Sequence, residues 1–322
     1  MAPEPATRTQ LKKNPLNRIE SFLLCAFLLV SSTSLPAQSR WKAYDSIYFE
    51  NLFLPNFSNL LMPKGYVEVL VSNSLLTANR GWSNTNGSTF DLNGRYTYDY
   101  VTAIGNAGIS KNNRFNAGIE IHYAKGYHDS DPTSSPMDIF KGSPPGFVQR
   151  AGALTSAGPR IKWRPFKHNL HFVYISTLQF PLLHNALKES ILGQSRTYWG
   201  NQFLYSFSLG RKLAFFAQDD LYLYFKEGVN SHNQYYEALT FYSYFLITKH
   251  LFPFVSAGYG AGYGTDINTN KFKSQFQYLP VGVGLQYQYS LRFTINAYYN
   301  QYIRAQNYND WRTMSLGFRG VF

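Results

Sequence analysis

The chain has 322 residues, 44% of them hydrophobic, with a formal net charge of +12 and a mean hydropathy of −0.28. Beyond residue 30 no apolar run reaches the ~18 residues that a membrane-spanning helix needs, so helical spans are excluded. The only cysteine is Cys25, which removes disulfide frameworks and cysteine-ligated zinc or iron–sulfur chemistry from consideration. The positive charge is spread along the chain without a Lys/Arg cluster. That distribution argues against nucleic acid as a partner and fits attraction to anionic lipid headgroups or anionic solutes.

Residues 1–37 read as a secretory signal peptide. Arg8, Lys12, Lys13 and Arg18 precede the apolar run Phe22–Val30, and small residues lead to a cleavage edge at Ala37. Cys25 lies inside that run and follows Leu24, where lipidation would require a small residue, so it reads as filler. Residues 38–64 contain Trp41, Tyr44, Tyr48, Phe49, Phe53, Phe57 and Met62 without clean alternation. Two readings stay open for them: a plug that folds into a barrel, or a short periplasmic segment.

From residue 65 to residue 322 the chain divides into segments of membrane-strand length separated by turn residues. Twelve strands are predicted: 65–78, 89–109, 114–126, 151–164, 169–182, 197–210, 212–226, 236–248, 251–264, 273–288, 291–304 and 311–322, with ten or fourteen as alternative counts. Connections after odd strands are long, for example Tyr127–Arg150 and Leu183–Arg196. Those after even strands are tight, for example Lys111-Asn112-Asn113 and Tyr289-Ser290. This asymmetry, together with 26 Tyr and 26 Phe to supply interfacial girdles, predicts an all-β fold. The expected architecture is a transmembrane antiparallel up-and-down barrel in the outer membrane of a Gram-negative bacterium.

Alternation then predicts a lumen lining, because a charge on the lipid face near the midplane costs about 2–4 kcal/mol. The polar phases nominate Glu68, Asp91, Arg95, Asp99, Glu120, His122, Arg160, Lys162, Arg292 and Arg319 as lumen-lining candidates. The second strand is expected to turn Asp91, Asn93, Arg95, Thr97 and Asp99 inward and Tyr96, Tyr98 and Tyr100 outward. The basic members slightly outnumber the acidic ones, which predicts a modest anion preference. Ser256, Gly258, Gly260 and Gly262, with Gly282 and Gly284, mark either space left on the inner wall or strand curvature, the commoner use of glycine in barrels.

His128-Asp129-Ser130 approximates the His-x-Ser pair of outer-membrane lipid hydrolases, but Asp131 follows where those enzymes carry Asn. The pair also falls beyond the predicted third strand, where a rigid base–nucleophile geometry is not expected. Asp129, Asp131, Asp138 and Asp266 lack calcium-loop spacing, and the seven histidines show no metal spacing, so no metal site and no cofactor are expected.

The stretch Ala157-Gly158-Pro159-Arg160-Ile161-Lys162-Trp163-Arg164-Pro165-Phe166, followed by Leu170–Pro181, resembles the phenol meta-pathway transporter-like barrels, themselves distantly similar to long-chain fatty-acid transporters. The hairpin Gln202–Lys212 and Leu213–Tyr224 is similar to the same group. The resemblance implies uptake of hydrophobic or aromatic compounds and carries no substrate-binding residue across. The last strand places Met314, Leu316, Phe318, Gly320 and Phe322 on one face. It resembles the C-terminal signal strand of outer-membrane proteins, with Phe318 and Phe322 as the assembly signal and the barrel-assembly machinery and outer-membrane lipids as partners. The functional expectation is a non-enzymatic channel or facilitator for small solutes. A structural or surface-interaction barrel with a filled lumen is the alternative, and a lipid hydrolase using His128 and Ser130 is the remote one.

Overall fold

The computed structural model describes residues 61–83, 88–141, 148–167, 169, 171–193, 196–210, 212–226, 232–265, 272–290 and 292–322. The expected signal peptide and most of segment 38–64 lie outside the described residues. Twelve antiparallel strands close on themselves, each paired with its sequence neighbours and β1 with β12. The strands are β1 (Val67–Trp82), β2 (Thr89–Gly108), β3 (Phe115–Asp129), β4 (Val148–Trp163), β5 (Phe172–Pro181) and β6 (Tyr198–Leu209). The second half comprises β7 (Leu213–Tyr224), β8 (Gln234–Phe245), β9 (Leu251–Thr265), β10 (Phe272–Gln288), β11 (Phe293–Gln306) and β12 (Arg312–Val321). Closure is how an antiparallel sheet in lipid satisfies every edge hydrogen bond.

Contacts between strands that are not neighbours must cross the lumen, and they fix which side chains point inward. Lys162 on β4 reaches Glu68 on β1, and Ser256 on β9 reaches Tyr298 on β11. From these anchors the period of two assigns the rest. The outer phase carries exposed Ile119, Leu154, Trp199, Phe241, Val283 and Leu316, an apolar belt suited to lipid.

Turn chemistry follows the expected asymmetry. Gly210 takes φ +65° in the tight β6–β7 turn, a left-handed conformation that glycine adopts without steric cost. Among the longer connections, the β3–β4 segment contains a 3₁₀ turn, Pro136–Phe140, held by a capping box between Ser135 and Asp138. A hydrogen bond from Lys141, aided by its charge, holds the Asp138 carboxyl below its usual range. Ile139 of this turn packs against Leu75 of β1 and Tyr127 of β3, both on the outer phase, so the segment folds down over the outside of the wall. The β5–β6 connection contains a helix, α1 (Ala186–Leu192), capped by Asn185 and ended by Gly193. Its Leu192 packs with Ala124 and Ala151 on the inner phases of β3 and β4, which places α1 inside the mouth at the end of the long connections.

At the opposite end the chain enters β1 across the inner side of Gly108. A Cβ there would fall 2.3 Å from the Met62 carbonyl oxygen and 2.0 Å from that of Pro63, so only glycine admits this crossing. Met62 is fully buried. Pairing between β4 and β5 is interrupted: it joins Ser156–Ala157 to Phe180–Pro181 and resumes at Arg160–Trp163.

Candidate functional site: a lumen with two unlike walls

One wall of the lumen, formed by β12 and β1 through β6, is an ion-pair network. Glu68 accepts from Lys162 Nζ at 2.8 Å, from Arg319 Nε at 2.8 Å and from Asn106 at 3.1 Å. Glu68 is 0% and Lys162 1% exposed, so the pair spans β1 to β4 in a desolvated place. A second centre lies beside it, where Glu120 accepts from Arg160 and pairs with His122 at 2.9 Å. Arg160 also donates to Gln202 at 3.3 Å, and Gln202 donates to Asp220 of β7 at 2.7 Å. Each carboxylate of the first two centres meets at least one cation; Lys162 and Arg319 share Glu68, so the two centres carry one positive charge in excess, which Asp220 beyond Gln202 offsets.

The other wall, β7 to β11, is aromatic. Tyr222, Tyr236, Tyr242 and Tyr298 face inward by register, and rings touch from strand to strand: Tyr222–Tyr236 at 5.7 Å, Tyr278–Tyr302 at 4.4 Å, and Phe254–Tyr298 at 5.6 Å. The glycines of β9 and β10 form the floor for these rings. A Cβ on Gly260 would meet the Tyr278 ring at 2.2 Å, and one on Gly284 the Phe254 ring at 2.2 Å. Inner-wall space for side chains accounts for these two glycines, where curvature alone had been the commoner expectation. The phenol rings keep part of their surface accessible at Tyr222, Tyr236 and Tyr242.

The sequence-nominated residues distribute unevenly over this geometry. Glu68, Glu120, His122, Arg160, Lys162 and Arg319 occupy inner positions and are brought together in the two ion-pair centres. Arg292 stands in the tight turn before β11, where its carbonyl accepts from Val321. The expected phase of β2 requires correction. Asn106 shares the inner phase with Glu68, which puts Tyr100, Tyr98 and Tyr96 inward as well. Tyr98 accordingly meets Trp311 at 5.7 Å from two strands away, and Tyr100 packs against the α1 cluster.

Arg95 and Asp99 therefore lie on the outer phase. Arg95 donates to Thr77 and to the Pro132 carbonyl, and Asp99 accepts from Asn73 at 2.5 Å. The descending β3–β4 segment covers this outer patch, so polar groups there do not face lipid. Asp91 is exposed near the start of β2, beyond a register shift. The third strand runs to Asp129, so His128 sits on it, contrary to expectation, with its ring stacked 4.1 Å from Tyr96. Ser130 follows the strand and is exposed. Phe318 packs at 6.1 Å from Phe293, and Phe322 follows the last paired residue.

Sequence pattern missed Tyr222, Tyr236 and Tyr242 of the tyrosine wall because aromatic residues were assigned to lipid-facing girdles, whereas Tyr298 shares the polar phase of its strand with Asn296. The usable signal was the spacing of Tyr222, Tyr236, Tyr242 and Tyr298 in phase with Asp220, Ser256 and Asn296, since one polar anchor per strand fixes the phase.

No protein-family description matches the sequence, and no curated protein matches it. Among solved structures, the COG4313 outer membrane channel from Pseudomonas putida F1 is similar at a TM-score of 0.57 and 12% identity, covering 84% of this chain and all of that one. The beta domain of the Bordetella autotransporter BrkA is similar at a TM-score of 0.50 and 11% identity, covering 79% of this chain and 99% of that one. The chain thus shares the fold of outer-membrane β-barrels.

Proposed function

We propose that the protein is an outer-membrane channel or facilitator for small solutes. The observation that carries this reading is the unlike pair of walls. Ion pairs consume the charges on one side, whereas the tyrosines opposite keep accessible surface facing the lumen. A merely filled barrel would bury both walls. That the Pseudomonas putida neighbour is an outer membrane channel supports the same reading at the level of fold. The aromatic wall also suits the hydrophobic or aromatic solutes implied by the resemblance to phenol meta-pathway barrels, since ring faces pack offset or edge-on against other rings. The outer membrane of a Gram-negative bacterium is the matching location.

A filled barrel has two observations in its favour: α1 inside one mouth and Met62 at the other. Planar-bilayer recording in potassium chloride separates the two readings. Discrete openings are expected from the purified full chain, and a protein that folds by heat-modifiable mobility yet never conducts would favour the filled barrel.

A further inference from the structure

The charge pairing of the lumen leaves one carboxylate apart. Among the described residues, Asp220 makes no ion pair; its two oxygens accept single bonds from neutral amides, Gln202 Nε2 at 2.7 Å and Gln218 Nε2 at 2.7 Å. The nearest guanidinium in this chain of bonds, Arg160, is already engaged by Glu120. A carboxylate offers about four lone-pair sites, so Asp220 retains acceptor capacity, and it keeps part of its surface accessible.

The surroundings of that carboxylate are specific. On β8 its register partner is the small Ala238, and beyond Ala238 the Tyr278 ring lies over Gly260 of β9, so the wall beside the carboxylate passes from a small side chain to an aromatic ring. Tyr222 follows Asp220 by two residues on the same inner face, Tyr236 is the register partner of Tyr222 with its ring 5.7 Å away, and Tyr242 lies further along β8 on that face. Tyr236 closes the far side through its contact with the Tyr278 hydroxyl. Negative ring faces around one negative charge attract a cation that can shed its water cheaply. A hard metal ion prefers several oxygen ligands, and no group of three or more metal-ligating side chains occurs among the described residues. An organic ammonium ion matches both features, charge against Asp220 and methyl or methylene groups against the rings.

We infer that the lumen holds a binding site for small organic ammonium ions, built on Asp220 and the ring faces of Tyr222, Tyr236 and Tyr242. This deepens the channel reading, on which its role in passage rests, by naming the class of solute that the aromatic wall selects. Isothermal titration of the full chain in detergent with choline chloride tests the site, and 3,3-dimethylbutan-1-ol supplies the same shape without charge. Choline is expected to bind the wild type at least tenfold more tightly than the neutral isostere. Asp220→Asn should weaken choline by at least tenfold and Tyr236→Leu by severalfold, each variant being checked for heat-modifiable folding. Equal binding of choline and its isostere, or no choline binding to the wild type, would overturn the site irrespective of any variant. Bilayer conductance is read separately: openings without choline binding sink the site and leave the channel, whereas choline binding without openings sustains the site and sinks the channel.

Discussion

At the scale of single residues, the lumen shows what a desolvated charge requires. Glu68 is held by two cations and an amide, and removing its charge leaves Lys162 buried beside Arg319 with nothing between them. Breaking a buried pair from one side typically costs about 3–5 kcal/mol, while replacing both partners together costs far less. Glu68→Gln should therefore lower barrel stability by about 3 kcal/mol, and Glu68→Gln with Lys162→Met should recover a large part of that loss. Guanidinium unfolding of the protein in lipid vesicles, followed by tryptophan fluorescence, measures both. Strictly additive losses would show that the two residues do not act as a pair. These network members were readable from sequence, since Glu120, Arg160 and Lys162 each sit between apolar neighbours on a strand. Asp220 was not, because it follows Asp219 and no alternation separates a wall position from its neighbour when both are acidic.

At the scale of elements, two of the long connecting segments do opposite things with their apolar residues. The 3₁₀ turn lays Ile139 on the outside of the wall, and α1 puts Leu192 on the inside. Sequence marked both only as long connections, because which side of a wall a loop falls on depends on partners far away in the chain. The same ignorance inverted β2: Arg95 and Asp99 looked like lining until the 3₁₀ segment proved to cover them. If α1 narrows the mouth, loosening its anchor should widen passage. Leu192→Asp sets a charge against Ala124 and Ala151, where burial without a partner is unfavourable. Single-channel conductance of this variant is expected to exceed the wild type about twofold with folding retained; unchanged conductance would mean that α1 lies off the path.

At the scale of the whole molecule, strand number, order and connection asymmetry followed from period and turn residues, and the twelve strands appear within a few residues of their predicted bounds. Selectivity is a different kind of property, since it depends on how inner charges pair. Counting Arg95, Arg160, Lys162, Arg292 and Arg319 against the acids gave an anion preference. With Arg95 on the outer phase, Arg160, Lys162 and Arg319 stand against Glu68, Glu120 and Asp220, three against three, so that excess is absent from these inner positions. The reversal potential in a potassium chloride gradient should accordingly lie near zero, and any residual preference should shrink as salt rises. A clear anion preference would contradict this charge assignment.

The interrupted ladder between β4 and β5 bears on how the barrel would come apart. Strands pulled along their length share load across every cross-strand bond, but a hairpin peeled from one end loads its bonds one after another. The gap around Gly158, whose inner neighbour is the Leu178 carbonyl, leaves this seam with fewer bonds to share the load. Under force the ring would therefore open first between β4 and β5, becoming a single sheet that runs from β5 through β12 and β1 to β4.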